Sequence, residues 1–201
     1  MIFVIGDNGS PEWVINDPPH VAEHSKARVY ELGIRVPLIV SGPLVPTPIP
    51  NGGWRSDTLV SSVDLWSTIA DITGANGSTL VPPSQLDSLS FEHVIADPTL
   101  PSNRATVFAQ SFSPNWIPNL PPPSCFDLNR RGITDGEYKY IRVQLSRSPT
   151  PCGTPVYSQE LYHLFTDPEE TVELLSSGPL STEASAHLAE LQAELDALSG
   201  L

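Results

Sequence analysis

Basic residues are scarce: Lys and Arg number 10 against 23 Asp and Glu, giving a formal net charge of -13 over 201 residues. So acidic a chain argues against nucleic acid and anionic membrane as partners, since both require a basic surface. A local pocket for a small anion is still compatible with it. Long apolar runs are missing too. Stretches such as Met1–Ile5 and Val36–Val40 fall far short of the roughly 20 residues that span a bilayer. Residues 1–20 have neither a basic n-region nor an adequate h-region, so no signal peptide is expected within them. Only two cysteines are present, Cys125 and Cys152, both in Pro-rich coil without zinc spacing. A single disulfide, worth about 3–4 kcal/mol in the chain-entropy model, and two separate thiols are equally open readings. Charged residues amount to 16% and hydrophobic ones to 39%, which excludes a charge-rich disordered chain.

Proline (22) and glycine (13) are plentiful and predict many turns and loops. The length suits one medium domain, or one domain with a small appended subdomain, and allows roughly 70% of the unfolded surface to be buried. Met1–Ile5 reads as a buried strand of the kind typical of parallel sheets covered on both faces, broken at Gly6. Residues 11–25 read as a polar loop, and Pro37–Val40 as a second short strand ending at Gly42-Pro43. Over Ser61–Thr73 the apolar side chains Val63, Trp66, Ile69 and Ala70 share a helical face with Thr73. Ser61 or Asp64 would cap that helix, and Gly74 would stop it. Phe91–Ile95 suits a short helix and Thr106–Gln110 a strand.

The last third changes character. Gly132–Leu145 alternates about an Asp135-Gly136 turn, with Tyr138, Tyr140, Arg142 and Gln144 on one face and Lys139, Ile141, Val143 and Leu145 on the other. Glu160–Phe165 reads as a further strand. In Ser181–Leu198 the residues Ala184, Leu188, Leu191, Leu195 and Leu198 form one apolar stripe, predicting a helix that packs on the hairpin and ends at Gly200.

Asp7-Asn8-Gly9 follows the first apolar strand, at the carboxyl end where α/β sheets bind ligands. A carboxylate next to an amide offers hard oxygen ligands suited to Ca²⁺ or Mg²⁺; the same tripeptide is also a strong turn former. Lys26 lies in the polar loop that precedes Tyr30-Glu31-Leu32-Gly33, and a lysine can hold a tetrahedral anion as a point charge. His20 and His24 share that loop. His93, His163 and His187 fall on amphipathic elements and read as surface or boundary residues. Glu31 and Arg35 are spaced for a local pair. Asn8-Gly-Ser and Asn76-Gly-Ser match the glycosylation sequon, which also arises often by chance.

Taken in order, these segments resemble the sulfatase family of the alkaline-phosphatase superfamily. The resemblance rests on the apolar strand with Asp7-Asn8-Gly9, on Lys26, and on Tyr30-Glu-Leu-Gly-Ile-Arg-Val-Pro-Leu-Ile-Val-Ser-Gly-Pro43. It continues through Leu59–Gly74, Leu86-Asp-Ser-Leu-Ser-Phe91, Asp135-Gly-Glu-Tyr-Lys-Tyr-Ile141 and Glu160-Leu-Tyr-His-Leu-Phe-Thr-Asp-Pro-Glu-Glu170. It implies a mixed α/β fold: part of a sulfatase-like sheet in residues 1–104, then an antiparallel-sheet subdomain with a terminal helix in residues 105–201. It implies that Asp7 and Asn8 bind a divalent cation, usually Ca²⁺ with Mg²⁺ as the alternative, and that Lys26 is the catalytic lysine contacting sulfate. The partner implied is a small sulfate ester or a sulfated glycan.

The chain departs from the family at several points. The common Lys-Gly-Thr is Lys26-Ala27-Arg28 here, and the common Gly-Gly is Leu32-Gly33. The Cys-x-Pro-x-Arg or Ser-x-Pro-x-Arg segment, whose first residue becomes the formylglycine nucleophile, has no counterpart, and neither do the family's paired N-terminal aspartates. The resemblance is therefore to the C-terminal half of a sulfatase, with the missing motifs expected in sequence upstream of Met1 and no sulfate ester hydrolysis expected from this chain alone. A phosphoester or phosphonate hydrolase of the same superfamily and a non-catalytic module binding sulfated glycans are the alternatives. For a complete enzyme the resemblance suggests a periplasmic, secreted or lysosomal setting. An unpaired outer edge on the first strand would invite self-association.

Overall fold

The computed structural model describes residues 1–75, 87–113, 128–146 and 155–199. Cys125, Cys152, the Asn76 sequon, Leu86 and Gly200 lie outside them. The fold is mixed α/β, with a two-stranded sheet, a four-stranded antiparallel sheet and a C-terminal helix. By contacts the chain forms two compact units: residues 1–6 with 37–107, and residues 7–36 with 108–201. Residues 7–36 thus cluster with the C-terminal sheet. Among the described residues no helix is long and apolar enough to cross a membrane.

In the first unit, β1 (Ile2–Ile5) pairs antiparallel with β2 (Leu38–Ser41), with Phe3 opposite Val40 and Val4 opposite Ile39. Phe3, Leu38 and Val40 pack on a small core of Phe91, Val94 and Ile95. Ile2, Val4 and Ile39 are exposed. The strand expected in a parallel sheet covered on both faces is instead paired antiparallel and covered on one, because a two-stranded antiparallel ribbon here has a single core to face.

Helix α2 (Asp64–Thr73) ends at Gly74 in the left-handed conformation, φ 68°, as its glycine predicts. Its faces are reversed from the expected stripe. Val63, Trp66 and Ile69 are exposed, while Leu65, Thr68 and Ile72 turn toward α3 (Glu92–Ala96) and its neighbours. Polar bonding explains the reversal. Buried Thr68 donates to the Asp64 carbonyl at 2.7 Å and accepts the Phe91 N–H at 3.0 Å. Asp64 accepts the N–H groups of Ser61 at 2.7 Å and Leu89 at 2.8 Å, and Arg104 binds it through two nitrogens at 2.5 and 2.7 Å. Satisfying a buried carboxylate fixes the helix rotation more firmly than burying Trp66 would.

The second unit holds the sheet β3 (Val107–Ser113), β4 (Leu128–Thr134), β5 (Tyr138–Ser146) and β6 (Pro155–His163), neighbours in that order. The β4–β5 turn is fixed by Asp135, whose carboxylate accepts the N–H groups of Glu137 and Tyr138 at 2.9 and 2.8 Å; Gly136 has φ 96°. The alternation read from the sequence gives the two faces. Ile133, Tyr138, Tyr140 and Leu161 face helix α4 (Thr182–Ser199), which buries Ala184, Leu191 and Leu195 against them. Each buried leucine contributes about 1.5–3 kcal/mol. On the other face, Ile141, Val143 and Tyr162 pack against Val29 and Tyr30. The sheet is covered on both sides, by a helix and by the 7–36 segment.

Candidate functional site

The 7–36 segment is held by backbone crossings. Gly9 N–H donates to the Gly33 carbonyl at 3.2 Å, Ser10 N–H to Leu32 at 3.0 Å, and Lys26 N–H to Ser10 at 2.8 Å. The Asp7-Asn8-Gly9-Ser10 turn and Lys26 therefore share one knot of chain. Glycine is required at both crossings. A Cβ on Gly9 would collide with the carbonyl oxygens of Leu32 and Gly33, and one on Gly33 would lie 2.5 Å from the Arg28 carbonyl oxygen. The short helix α1 (Glu31–Ile34) carries Gly33 into this contact.

Asp7, Asn8 and Lys26 are exposed, and their side chains make no hydrogen bond or ion pair among the described residues. Asp7 and Asn8 offer the hard oxygens that Ca²⁺ or Mg²⁺ prefers. No group of three or more His, Cys, Asp or Glu residues gathers to hold a metal among the described residues. The donor type fits a hard cation; the number supplied is two, against the six to eight oxygens that calcium takes. His20 contacts the Glu169 carboxylate. His24 stacks on Tyr30 at 3.6 Å, and burial holds its imidazole below the usual pKa. His187 pairs with Asp135 at 2.6 Å and His93 bonds the Pro101 carbonyl at 3.0 Å.

The knot is anchored to the sheet by a network that local spacing does not reveal. Lys139 Nζ lies 2.7 Å from Glu31 and 3.1 Å from Glu170, with the side chains of Lys139 and Glu170 each 1% exposed. Glu170 also accepts the Glu31 N–H at 2.6 Å. Burial pushes the Glu170 carboxyl up to about 7, against the pull of Lys139 and the Glu31 N–H. Glu31 does approach Arg35, at 3.8 Å, but its strong partner is Lys139. Nearby, Glu160 accepts the hydroxyls of Tyr30 at 2.7 Å and Tyr162 at 3.1 Å. Burial and Glu160 raise both phenols, so they remain protonated donors.

Two cations escaped the sequence reading. The side chains of Arg28 and Arg130 make no hydrogen bond or ion pair among the described residues, and Arg130 Nη1 is buried without a partner. The only sequence signal was the Arg130-Arg131 pair in a chain poor in basic residues.

No family model matches the chain, and no curated protein does. Among solved structures, it resembles BT4656 in complex with its substrate D-glucosamine-2-N,6-O-disulfate, with a TM-score of 0.57 and 18% identity. The match covers 82% of this chain and 29% of that one, so the chain spans less than a third of the neighbour's length. The likeness is one of fold, and the fold is sulfatase-like.

Proposed function

We propose that this chain forms the sulfate- and cation-contacting part of a sulfuric ester hydrolase of the arylsulfatase type, acting on a sulfated sugar or a smaller sulfate ester. The observation that carries the reading is the hydrogen bond from Lys26 N–H to the Ser10 carbonyl, which ties the lysine loop to the Asp7-Asn8 turn. The sulfatase-like fold supports it, as does a structural neighbour whose substrate is a sulfated sugar.

Lys26 would hold the sulfuryl oxygens as a compact charge that no carboxylate among the described residues neutralises. Asp7 and Asn8 would give two oxygens to a hard cation whose other ligands come from outside this set. When bound, that ion would polarise the sulfuryl oxygen as a Lewis acid. The Lys139–Glu31–Glu170 network holds the lysine loop against the sheet and does not touch substrate.

Calorimetry with p-nitrophenyl sulfate and Ca²⁺ tests the reading. Binding without turnover is expected, weakened at least tenfold by Lys26→Ala. Equal affinity of wild type and Lys26→Ala would remove the sulfate role. Turnover by this chain, lost in Lys26→Ala, would show that it carries its own nucleophile and overturn the partial-site reading.

A further inference from the structure

The anomaly is Arg130. Its Nη1 is buried and unpartnered, and burial followed by the nearby Arg28 lowers its pKa. The backbone brings the segment that carries Arg28 over the strand that carries Arg130. Val29 sits directly over Gly132, where a Cβ would come within 3.2 Å of the Val29 Cβ, and Ala27 accepts a hydrogen bond from Ser111 of β3 at 2.6 Å. Segment 27–30 thus crosses the sheet from β3 over β4 toward β6. Arg130 lies two residues from Gly132 and so shares its face of β4. Glu160, the carboxylate that acts electrostatically on Arg130, is occupied by Tyr30 and Tyr162 and makes no ion pair with it among the described residues.

In a protein with 23 acidic residues and 10 basic ones, two arginines that repel each other have no side-chain ion pair among the described residues. Such a pair opposes folding unless an anion completes it. We propose that Arg28 and Arg130 form a second anion subsite, taking a sulfate or carboxylate on a sugar ring whose sulfate ester lies at Lys26. The placement of that ester rests on the hydrolase reading; the arginine pair does not. One residue, Ala27, separates Lys26 from Arg28, so their Cα atoms lie no more than about 7 Å apart, a span that one ring carrying two anionic groups can bridge. Planar guanidinium forks suit either group by paired hydrogen bonds, whereas Lys26 is a single point. Ala27, between the two cations, is held left-handed at φ 71°. A non-glycine residue there is strained, as is common beside binding sites.

The test uses the whole chain and three probes: a methyl glucoside with one sulfate, the same glucoside with two, and a methyl glucuronide with one sulfate. Wild type is expected to bind the two dianionic probes at least tenfold tighter than the monosulfated one. Arg28→Gln and Arg130→Gln are expected to erase that advantage, leaving monosulfate affinity within twofold. Preference for one dianion over the other identifies the second group as sulfate or carboxylate. Lys26→Ala should weaken all three probes alike; if it changes none while Arg130→Gln still weakens the dianions, the anion subsite stands and the hydrolase reading falls. An unchanged ratio in both arginine variants overturns the subsite. Melting gives an independent readout. Without ligand, Arg130→Met is expected to melt higher than wild type, because an unpaired, half-buried charge is removed; a lower melting point would show that Arg130 serves folding and sink the proposal.

Discussion

The two units solve the burial problem in different ways. The first has one small core around Phe91, Val94 and Ile95 and leaves apolar faces on β1, β2 and α2 exposed. The second covers its sheet on both sides, with α4 on one face and the 7–36 segment on the other. Their buried charges differ as well. In the first unit one carboxylate, Asp64, meets one guanidinium and two N–H groups and is fully satisfied. In the second, one lysine serves two carboxylates. Saturation by hydrogen bonds makes a buried charge a fixture, whereas an uneven count of charges leaves a proton in play.

The largest way to break this contrast is at Lys139. Replacing it with Met strands Glu170 without a cation and leaves Glu31 only the exposed Arg35, and removing one partner of a buried pair typically costs about 3–5 kcal/mol. Residue-resolved hydrogen exchange should show that loss across β4–β6 and α4, with α2 and α3 unchanged. Adding Glu31→Gln to Lys139→Met should recover part of the loss. Equal destabilisation of both units, or no recovery, would mean that the network is not a local anchor of the second unit.

Acidity should separate the units next. Folded Glu170 keeps its proton up to about 7, and its ordinary value is 4.5. Between those values the native state binds more protons than the unfolded one, so the second unit loses stability as pH rises through that window. His187 acts in the same direction. Its hydrogen bond to Asp135 raises its pKa, so its contribution is complete below 6.5 and is lost as pH rises through the folded value. Asp64 has the opposite sign. Burial alone would raise its carboxyl, but Arg104 and the Leu89 and Ser61 N–H groups outweigh burial and hold it below 3.8. Its contribution is present above 3.8 and lost as pH falls through the folded value. In the second unit His24 opposes Glu170 and His187, since burial lowers its pKa and its contribution is lost as pH falls below 6.5, but the larger shift of Glu170 decides the sign. Moving from pH 7 to 5 should therefore strengthen the second unit and leave the first unmoved, with the first weakening only below about 4. Glu170→Gln should flatten most of the second unit's response, and an unchanged slope would place the titration elsewhere.

The second unit was the more legible of the two. Hairpin alternation, the Asp135-Gly136 turn and the α4 stripe are local patterns, and each folds as its spacing dictates. The first unit misled because α2 rotates to satisfy Asp64 and Thr68, polar residues that a count of apolar positions passes over. In the candidate site, Asp7, Asn8 and Lys26 could be named from an ordered resemblance. The Lys139–Glu31–Glu170 network could not, since its members lie 139 residues apart at the extremes and Glu31 had a plausible neighbour in Arg35. Arg28 and Arg130 were invisible for the same reason: only the folded sheet brings them together.

The smallest effect on folding, and the sharpest on behaviour, is expected at the exposed apolar surface of the first unit. Trp66 and Ile69 are 41% and 47% exposed, so Trp66→Gln should change folding stability by no more than about 0.5 kcal/mol. Val4, 55% exposed, lies on a strand that pairs only with β2 among the described residues. An uncovered strand edge offers unpaired backbone groups as well as apolar contact, whereas a helix face offers contact alone. If the chain self-associates, Val4→Lys should therefore reduce association more than Trp66→Gln, as read by light scattering over a concentration series. A stronger effect from Trp66→Gln would assign association to the α2 face. If neither variant changes the scattering, the apolar surface of this unit does not mediate contact between copies, and the edge expectation fails. Should Trp66→Gln instead unfold the unit, α2 would be buried in solution on the face that is open here, and the contrast between the two units would lose its basis.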